Sequence, residues 1–385
     1  MKTINFVIFF GIVLTVLGVV NWYVCMRGWQ VLPRDPAVRV PYLVVFVFLA
    51  LSYIGGRVLE RFTICTASEV LIWIGSFWLG LLLYLFLGAL LYDLLRLVNW
   101  IAGIVPVPSG HYDRVKQIAA AAVAAASIIA ILAGFYNTLH PRINRLAIDI
   151  PKSAGGIKTL DIALVTDAHL GTVIKNSHLQ KMIDMVNVIR PDVVLLAGDI
   201  VDEDLRPVIE NNLGELLRTI RSRYGTFAVT GNHEYIGGVE AACRYLSDHG
   251  VTMLRDSAVL IGGAVYIVGR EDRSIGQFAG RRRLSLEELL KKVDTTRPVI
   301  LMDHQPFALS RVAGRGVDLQ VSGHTHHGQL WPVNYITSRI FEVSRGHRVI
   351  NGTNFYVSCG FGTWGPPARL GSVPEVVHIQ LRFME

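Results

Sequence analysis

The order of apolar and polar residues divides the chain near residue 147. Before this point, four long apolar stretches are joined by short polar segments. A helix of roughly 20 residues crosses a hydrocarbon core about 30 Å thick, so three of the stretches are long enough to span a membrane. The second is shorter, but it begins beside Pro41 and has Tyr42 and Arg57 near its ends, which also favours a span. We therefore predict transmembrane helices at residues 4–24, 40–55, 70–92 and 118–136.

These helices have the character of an anchor. The first is interpreted as uncleaved, because its apolar run exceeds that of a signal peptide and no A-x-A cleavage site follows it. Ionisable residues are almost absent from the spans, and Glu69 and Asp93 fall at the edges of the third. Transport proteins place such residues at mid-membrane depth. Residues 1–146 are therefore predicted to form a multi-pass anchor of about four helices.

From residue 147 onward, short β-rich runs alternate with amphipathic segments, a pattern typical of an α/β domain. A β-hairpin is predicted around Gly262 and Gly263, and a capping box at Ser285 opens a helix. Other helices are predicted at residues 177–189, 205–220 and 239–249, and strands at residues 160–166, 193–197, 227–230, 299–302, 319–322, 355–358 and 376–382. Residues 147–385 are thus expected to form a single domain.

The composition agrees with this division. The chain is 51% apolar and only 17% charged, which is too hydrophobic for an ordinary soluble enzyme. Its net charge of +7 comes almost wholly from residues 1–146, which hold 11 Lys and Arg against 5 Asp and Glu. The remainder has no basic platform with interleaved aromatics, so no nucleic-acid partner is predicted. Lys and Arg flanking the spans divide six and six between the two sides, which leaves the membrane orientation open.

Eight polar residues in the second part stand in the order DAH, GD, GNHE, DH and GHTH. Each has a side chain that binds divalent metals through oxygen or nitrogen. Five of them come directly after a predicted strand or within two residues of its end. Because ligands gather beyond the carboxyl ends of strands in α/β sheets, we expect one shared site. The eight residues are Asp167, His169, Asp199, Asn232, His233, His304, His324 and His326.

This motif order resembles the pattern D-x-H, GD, GNH[DE], H, GHxH of the calcineurin-like metallophosphoesterase superfamily, over residues 158–385. The ending GTWGPPARLGSVPEVVHIQL also resembles the bacterial membrane-associated branch of that superfamily, which is similar to the UDP-diacylglucosamine hydrolases of lipid A synthesis. The resemblance implies a four-layer α/β/β/α sandwich. The chain is then an α/β domain, residues 147–385, preceded by a four-helix transmembrane bundle.

The resemblance also implies a dinuclear metal site. Its ligands would be Asp167, His169 and His326 at one ion, Asn232, His304 and His324 at the other, and Asp199 bridging both. Imidazoles with one amide suit manganese best, with iron or zinc as alternatives. A hydroxide bridging the metals would attack phosphorus in line, and His233 would protonate the leaving oxygen. His233 and Asp199 are accordingly the expected catalytic residues.

These inferences predict a membrane-anchored phosphoesterase that hydrolyses a phosphodiester or a pyrophosphate, with a lipid-linked or cell-envelope precursor as the favoured substrate. A tether confines the enzyme near membrane-borne substrates. The alternatives are a phosphomonoesterase or cyclic-nucleotide phosphodiesterase that is merely anchored, and a non-catalytic scaffold, which the complete motif set disfavours. The expected location is a bacterial cell membrane, with the catalytic domain on the cytoplasmic face. The oligomeric state stays open.

Several residues outside the motifs have two interpretations. His327 is interpreted as an exposed loop residue, with phosphate contact as the alternative. Asp202 and Asp204 are interpreted as acids at a helix N-terminus rather than as partners of metal ligands. The segment from Trp364 to Arg369 is interpreted as a turn packed for shape, with substrate binding as the alternative. The basic run Arg281, Arg282 and Arg283 is interpreted as a solvated turn, with phosphate or anionic lipid binding as the alternative.

Overall fold

The computed structural model describes residues 3–104 and 111–384. Four long helices come first, and each contains one of the predicted spans. All four are long and apolar enough to cross a membrane by length and composition, the qualifying part of the first being Gly11–Val31. The helices are α1 (Thr3–Val31), α2 (Pro36–Phe62), α3 (Thr66–Ala102) and α4 (Tyr112–Thr138).

Local sequence determines where two of these helices begin and end. Asp35 precedes α2, and its Oδ1 accepts a hydrogen bond from Ala37 N at 2.8 Å. Pro36 occupies the first position of α2. Proline has no backbone N–H, and at this position a helix has no carbonyl to accept one, so no hydrogen bond is lost. Gly103 ends α3 with a φ of 62°, a left-handed conformation that glycine adopts without steric cost.

The rest of the chain alternates strands with shorter helices. Its strands are β1 (Arg142–Ser153), β2 (Thr159–Val165), β3 (Val193–Ala197), β4 (Thr226–Val229), β5 (Val251–Met253), β6 (Ser257–Ile261), β7 (Val265–Gly269), β8 (Val299–Met302), β9 (Leu319–Ser322), β10 (Gly346–Ile350), β11 (Thr353–Val357) and β12 (Glu375–Met384). Its helices are α5 (Asn176–Ile189), α6 (Arg206–Glu210), α7 (Leu213–Leu217), α8 (Asn232–Gly237), α9 (Val239–Asp248), α10 (Ile275–Phe278), α11 (Leu286–Leu290) and α12 (Val333–Ile340).

The strands form two six-stranded sheets, with the orders β1-β12-β2-β3-β4-β5 and β10-β11-β9-β8-β7-β6. Strands β2 to β5 run parallel in the first sheet, and β7, β8, β9 and β11 run parallel in the second. One apolar core joins the facing surfaces of the two sheets, and helices cover the opposite surface of each. The predicted four-layer α/β/β/α sandwich is therefore confirmed.

Strand β2 shows how the sequence produces these layers. Leu160, Ile162 and Leu164 point into the core between the sheets. Ala163 and Val165 point to the other surface, where they join the core formed with the helices. Successive side chains of a strand alternate between faces, so a strand buried on both faces needs apolar residues at both sets of positions.

Six elements were not predicted, namely β1, β5, β10, α8, α10 and α12. The predicted helix at residues 205–220 is two short helices. Asn212 lies between α6 and α7 with a φ of 51°, which interrupts the helix. Strand β1 begins at Arg142, ahead of the change in sequence pattern at residue 147. It is an edge strand whose residues are mostly exposed or half-buried, so it lacks the apolar alternation that marks an inner strand.

The chain divides into two compact units. One is the helical unit, which ends at Tyr136 and also includes Gly365–Ala368. The other comprises Asn137–Trp364 and the chain from Arg369 onward.

Candidate metal centre

Five of the eight candidate residues follow the ends of inner strands. Asp167 lies two residues after the end of β2, and Asp199 lies two residues after the end of β3. Asn232 is the first residue of α8, which follows β4. In the other sheet, His304 lies two residues after the end of β8, and His324 lies two residues after the end of β9. Because these strands are parallel within each sheet, their carboxyl ends lie at a common edge. Candidate residues that follow strands of the first sheet therefore lie beside candidate residues that follow strands of the second sheet.

Their side chains offer ligand atoms in three overlapping groups, within each of which all atoms lie within 4.8 Å of one another. The groups are Asp167, His169 and His326; His169, Asp199 and His233; and Asp199, His304 and His324. Asp199 belongs to two of the groups. A carboxylate that contacts two cations would occupy such a shared position. His169 is also shared, and it links the predicted ligands to His233.

Individual distances show how tightly these groups crowd together. Nε2 of His169 lies 3.1 Å from Nε2 of His326. The same His326 nitrogen lies 3.5 Å from Asp167 Oδ1, and His304 Nε2 lies 3.0 Å from Asp199 Oδ2. All five side chains are buried. Imidazole nitrogens and two carboxylates crowded away from water are a donor set suited to divalent cations.

The hydrogen-bond partners of the buried atoms test this fit. Within the described part of the chain, His169 Nδ1, Asn232 Oδ1 and His304 Nε2 are buried without a hydrogen-bond partner of acceptable geometry. Buried polar atoms are seldom left unpaired, and a bound ion is one accepted reason. His304 Nδ1 lies 2.8 Å from the carbonyl oxygen of Ala197, to which it donates, so the lone pair of Nε2 faces the cluster. The residues present fit a pair of metal ions.

The backbone at this site is unusual. Five of the candidate residues have positive φ angles in the left-handed region. Residues other than glycine rarely adopt this conformation, although Asp and His tolerate it better than most. They are Asp167 (51°), His169 (47°), Asp199 (49°), His324 (68°) and His326 (45°). Asp167 Oδ1 accepts a hydrogen bond from His324 N, and Asp199 Oδ1 accepts one from His233 N, both at 2.9 Å. The carboxylates thus hold the strained loops in place.

Two motif glycines allow the close approach of these loops. A Cβ atom at Gly231 would lie 2.1 Å from Asp199 Oδ1, and a Cβ atom at Gly323 would lie 2.2 Å from Asp167 Oδ2. Any side chain at either position would displace a candidate metal ligand. Glycine at both positions therefore lets the two loops pack directly against the carboxylates.

Glu234, the last residue of GNHE, has a role that was not predicted from the sequence. Its buried carboxylate accepts four backbone hydrogen bonds, from the N–H groups of Asp199 (3.1 Å), Ile200 (2.7 Å), Val201 (2.9 Å) and Gly231 (2.7 Å). One side chain therefore ties the loop after β3 to the loop after β4. The available signal was its position three residues after Gly231, from which a Glu side chain can accept the N–H of the residue that precedes α8.

Asp202 also differs from its expected role, because it contacts His233. Nδ1 of His233 lies 3.0 Å from Asp202 Oδ1, and His169 Nδ1 lies 3.6 Å from the same oxygen. Burial by itself lowers the pKa of His233, but the carboxylates of Asp199 and Asp202 raise it to about 9. Asp204 fits its interpretation, since its Oδ1 accepts a hydrogen bond from Arg206 N at the start of α6. The carboxylates of Asp199 and Asp202 together thus favour the protonated form of His233.

Arg369 is fully buried beneath the site, so it cannot bind substrate from solvent. Its Nη1 donates to the carbonyl oxygen of Cys359 at 2.6 Å, and its Nη2 lies 2.9 Å from Nδ1 of His326. A guanidinium has no acceptor, so this contact orients the ring with Nε2 toward Asp167. Burial and the charge of Arg369 hold the pKa of His326 well below its usual range. His326 is therefore neutral, the form that binds metals.

Trp364 and His327 lie close to the site in different ways. The Trp364 ring is 6.2 Å from the His233 ring, and the residue is 55% exposed, so it offers an aromatic surface beside the proton donor. His327 is only 8% exposed, and its Nδ1 lies 2.8 Å from Ser344 Oγ. The interpretation of His327 as an exposed loop residue was wrong, because this hydrogen bond holds the ring inside.

The three consecutive arginines are all paired. Arg282 contacts Glu288 at 2.6 Å, and Arg281 lies 3.7 Å from Glu240. Arg283 contacts Asp303 at 2.9 Å, and its side chain is 17% exposed against 62% for Arg281 and 70% for Arg282. A solvated turn describes the first two arginines and is wrong for the third.

The two packed sheets, with a buried His and Asp cluster at their strand ends, define a metallophosphoesterase. The sequence model for the calcineurin-like phosphoesterase family matches residues 160–328. An uncharacterized metallophosphoesterase of Aquifex aeolicus is 36% identical over 260 residues, which cover 66% of this chain and 98% of that protein. The chain belongs to the calcineurin-like metallophosphoesterase family.

Other relatives differ in how much of their length is matched. A transmembrane protein with metallophosphoesterase domain from Bos taurus is 30% identical over 308 residues, which cover 74% of this chain and 67% of that protein. For an uncharacterized metallophosphoesterase of Helicobacter pylori strain J99, 34% identical, the match covers 64% of this chain and 66% of the relative. A solved structure of a 5'-nucleotidase precursor from Thermus thermophilus has a TM-score of 0.37 and 17% identity, covering 58% and 54% of the two chains. The four apolar helices and the transmembrane relatives together indicate a membrane protein.

Proposed function

We propose that this protein is a membrane-anchored, dinuclear-metal phosphoesterase that hydrolyses a phosphodiester or a pyrophosphate. The observation that carries the proposal is the buried cluster in which Asp199 is shared by two groups of ligand atoms, beside the protonated His233. A phosphate ester needs charge neutralisation, a nucleophile and a proton for the leaving oxygen. Residues 1–146 would anchor the enzyme, and residues 147–385 would carry its chemistry.

Seven side chains would hold the metal ions. One ion would take Asp167, His169 and His326, the other would take Asn232, His304 and His324, and Asp199 would contact both. When bound, such a pair supplies a nucleophilic hydroxide at neutral pH and neutralises the phosphoryl oxygens. Manganese is the preferred metal for this mixture of imidazole, carboxylate and amide, and iron and zinc are the alternatives.

The protein's own residues perform the remaining steps. His233 donates the proton from Nε2 to the leaving oxygen, since Nδ1 faces Asp202. Asp202 keeps that ring oriented and favours its protonated form. The exposed ring of Trp364 offers a surface against which the leaving group can stack. Burial of the cluster excludes bulk water, which strengthens each electrostatic interaction with the phosphoryl group.

A lipid-linked or cell-envelope precursor is the preferred substrate, since a membrane tether concentrates the site where such molecules lie. Similarity of the C-terminal segment to a branch near the UDP-diacylglucosamine hydrolases supports a pyrophosphate link. Purified full chain with Mn²⁺ is expected to hydrolyse an aryl phosphodiester with a kcat/KM at least about tenfold above that for the matching monoester. It is also expected to hydrolyse a detergent-solubilised lipid pyrophosphate. Faster monoester hydrolysis, or turnover of soluble diesters only, would favour an anchored enzyme for soluble substrates.

We further infer that the enzyme lies in a bacterial cell membrane with its catalytic domain in the cytoplasm. The bacterial relatives and the resemblance to enzymes of lipid A synthesis support this location. A fluorescent protein that folds only in the cytoplasm, fused to the C-terminus, is expected to fluoresce, and an alkaline phosphatase fusion is expected to be inactive. The reverse pattern would place the domain on the opposite side.

A further inference from the structure

A cavity of about 490 Å³ lies where strands β7 and β8 end in the second sheet. These parallel strands lead into the loops that begin at Arg270 and Asp303. Arginine is the commonest lining residue, and Glu287 is the sole lining carboxylate among the described residues. The arginines are Arg270, Arg273, Arg281, Arg282, Arg283, Arg311 and Arg315.

Nearby carboxylates neutralise only part of this charge. Asp303, which is buried, accepts from Arg270 at 3.0 Å and from Arg283 at 2.9 Å, so one negative charge serves two guanidinium groups. The remaining ion pairs are Arg282 with Glu288, Arg281 with Glu240 and Arg315 with Glu287. Around the seven arginines, ion pairs are formed with only four described carboxylates, and one of these, Glu240, is shared with Arg255 outside the cavity. Asp256 adds its charge near Arg270 and Arg282, and positive charge is still in excess.

Three groups in the cavity are open to an anionic ligand. Arg273 and Arg311 make no ion pair with a described carboxylate, and the Arg273 guanidinium lies 4.8 Å from the centre of the Phe307 ring. The Nε of Arg270 is buried and has no hydrogen-bond partner in the described part of the chain. A buried donor without an acceptor indicates a missing partner, and the unpaired guanidinium groups beside it favour an anion in that position.

The cavity adjoins the metal centre. Asp303, which holds two of its arginines, directly precedes the candidate ligand His304. Phe307 lies between the two sites: Arg273 stacks over its ring, and the ring of the candidate ligand His324 lies 6.5 Å from it. Phe307 therefore contacts both the arginine cavity and a candidate metal ligand.

We propose that this arginine cavity binds a second phosphoryl group of the substrate, distinct from the one that is hydrolysed. Guanidinium groups suit phosphate because their paired N–H donors match its oxygens. The inference rests on the proposed function and narrows it to phosphodiesters or pyrophosphates that carry a further phosphate. That phosphate can belong to a soluble molecule or to a lipid headgroup, since both present the same dianion.

Phenyl phosphonate is a suitable probe because it mimics a phosphate dianion and the enzyme cannot hydrolyse it. Calorimetric titration of the Mn²⁺-loaded full chain is expected to show two binding events, at the metal centre and in the cavity. An Arg273→Ala/Arg311→Ala variant should lose the cavity event or weaken it at least about tenfold. Arg221→Ala, which removes an exposed arginine before β4 with no ion pair among the described residues, should keep both events. Two unchanged events in the double variant would overturn the proposal.

A kinetic comparison gives a second readout. The double variant should raise KM at least about tenfold for an aryl phosphodiester that carries an additional phosphate, and leave kcat and KM for the simple aryl diester unchanged. Equal KM changes for both substrates would also overturn the proposal. If the protein hydrolyses no ester but still loses the cavity event on arginine replacement, hydrolysis is refuted while the anion site stands.

Competition identifies the source of the phosphate. Full chain in phosphatidylcholine vesicles is titrated with phenyl phosphonate, with phosphatidate in the bilayer or with glycerol 3-phosphate in solution. Displacement from the cavity by phosphatidate alone indicates a lipid headgroup, and displacement by glycerol 3-phosphate indicates a soluble ligand. Either result supports the cavity as a phosphate site, and displacement by neither contradicts it.

Discussion

Replacing Asp199 by Asn is expected to abolish ester hydrolysis, with a loss of about 10³-fold or more, the order that one preorganised electrostatic group contributes at an active site. Asn has nearly the same shape as Asp and can still accept the hydrogen bond from His233 N. It lacks the charge that, in the proposed site, would offset two cations beside His304. The variant should therefore fold but bind less metal, which elemental analysis and rates on an aryl phosphodiester measure together.

His233→Asn is the matched control for Asp199→Asn. It should keep its metal and lose activity mainly on substrates with poor leaving groups, by roughly 10² to 10⁴-fold for an alkyl ester, because such groups need a proton. A nitrophenyl ester should be affected much less. Wild-type rate and metal content in Asp199→Asn would contradict the proposed bridging role, and equal losses on both esters would contradict a proton-donor role for His233.

Replacing Glu234 by Ala is expected to destabilise the catalytic domain by about 4 kcal/mol, since each buried donor left without a partner costs about 1 to 3 kcal/mol and four are affected. For a domain of this size the midpoint of thermal unfolding should fall by about 10 °C. Loss of the tie between the loops after β3 and β4 should also lower metal content, because Asp199 and Asn232 would no longer be held together.

The control for Glu234→Ala is Glu210→Ala, which removes an exposed carboxylate from α6 and should leave the midpoint unchanged. Glu234→Gln should have an intermediate effect, because its amide keeps one acceptor but turns a donor toward the backbone N–H groups. A wild-type midpoint in Glu234→Ala would mean that the four hydrogen bonds contribute little to the fold.

The sequence predicted the features that depend on neighbours along the chain. Short apolar runs located β3, β8 and β9 to the residue, because these strands are buried on both faces. Uniform apolar character located the four long helices, since a span needs only length and hydropathy. Strand β1 escaped prediction because one face is exposed and the parallel partner β12 lies more than two hundred residues away in the chain.

The residues of the site also fall into those that the sequence predicted and those that it did not. The order of motifs along the chain was enough to propose the eight residues, and the family match agrees with that order. Asp202 and His327, which have supporting roles, were harder to recognise because nothing in their local sequence marks them. Asp202 was assigned to a helix end and His327 to an exposed loop, whereas each contacts a side chain that comes from a different loop.

By itself, then, the sequence determined the membrane-spanning character of the first part, the α/β character of the second and the chemical type of the site, because composition, periodicity and motif spacing are local properties. Only the tertiary structure decided which groups support that site. The two sheets bring Asp199 against His304, Arg369 against His326, and seven arginines around one cavity. These contacts join residues distant in sequence, and their geometry depends on how the loops beyond the strand ends are folded.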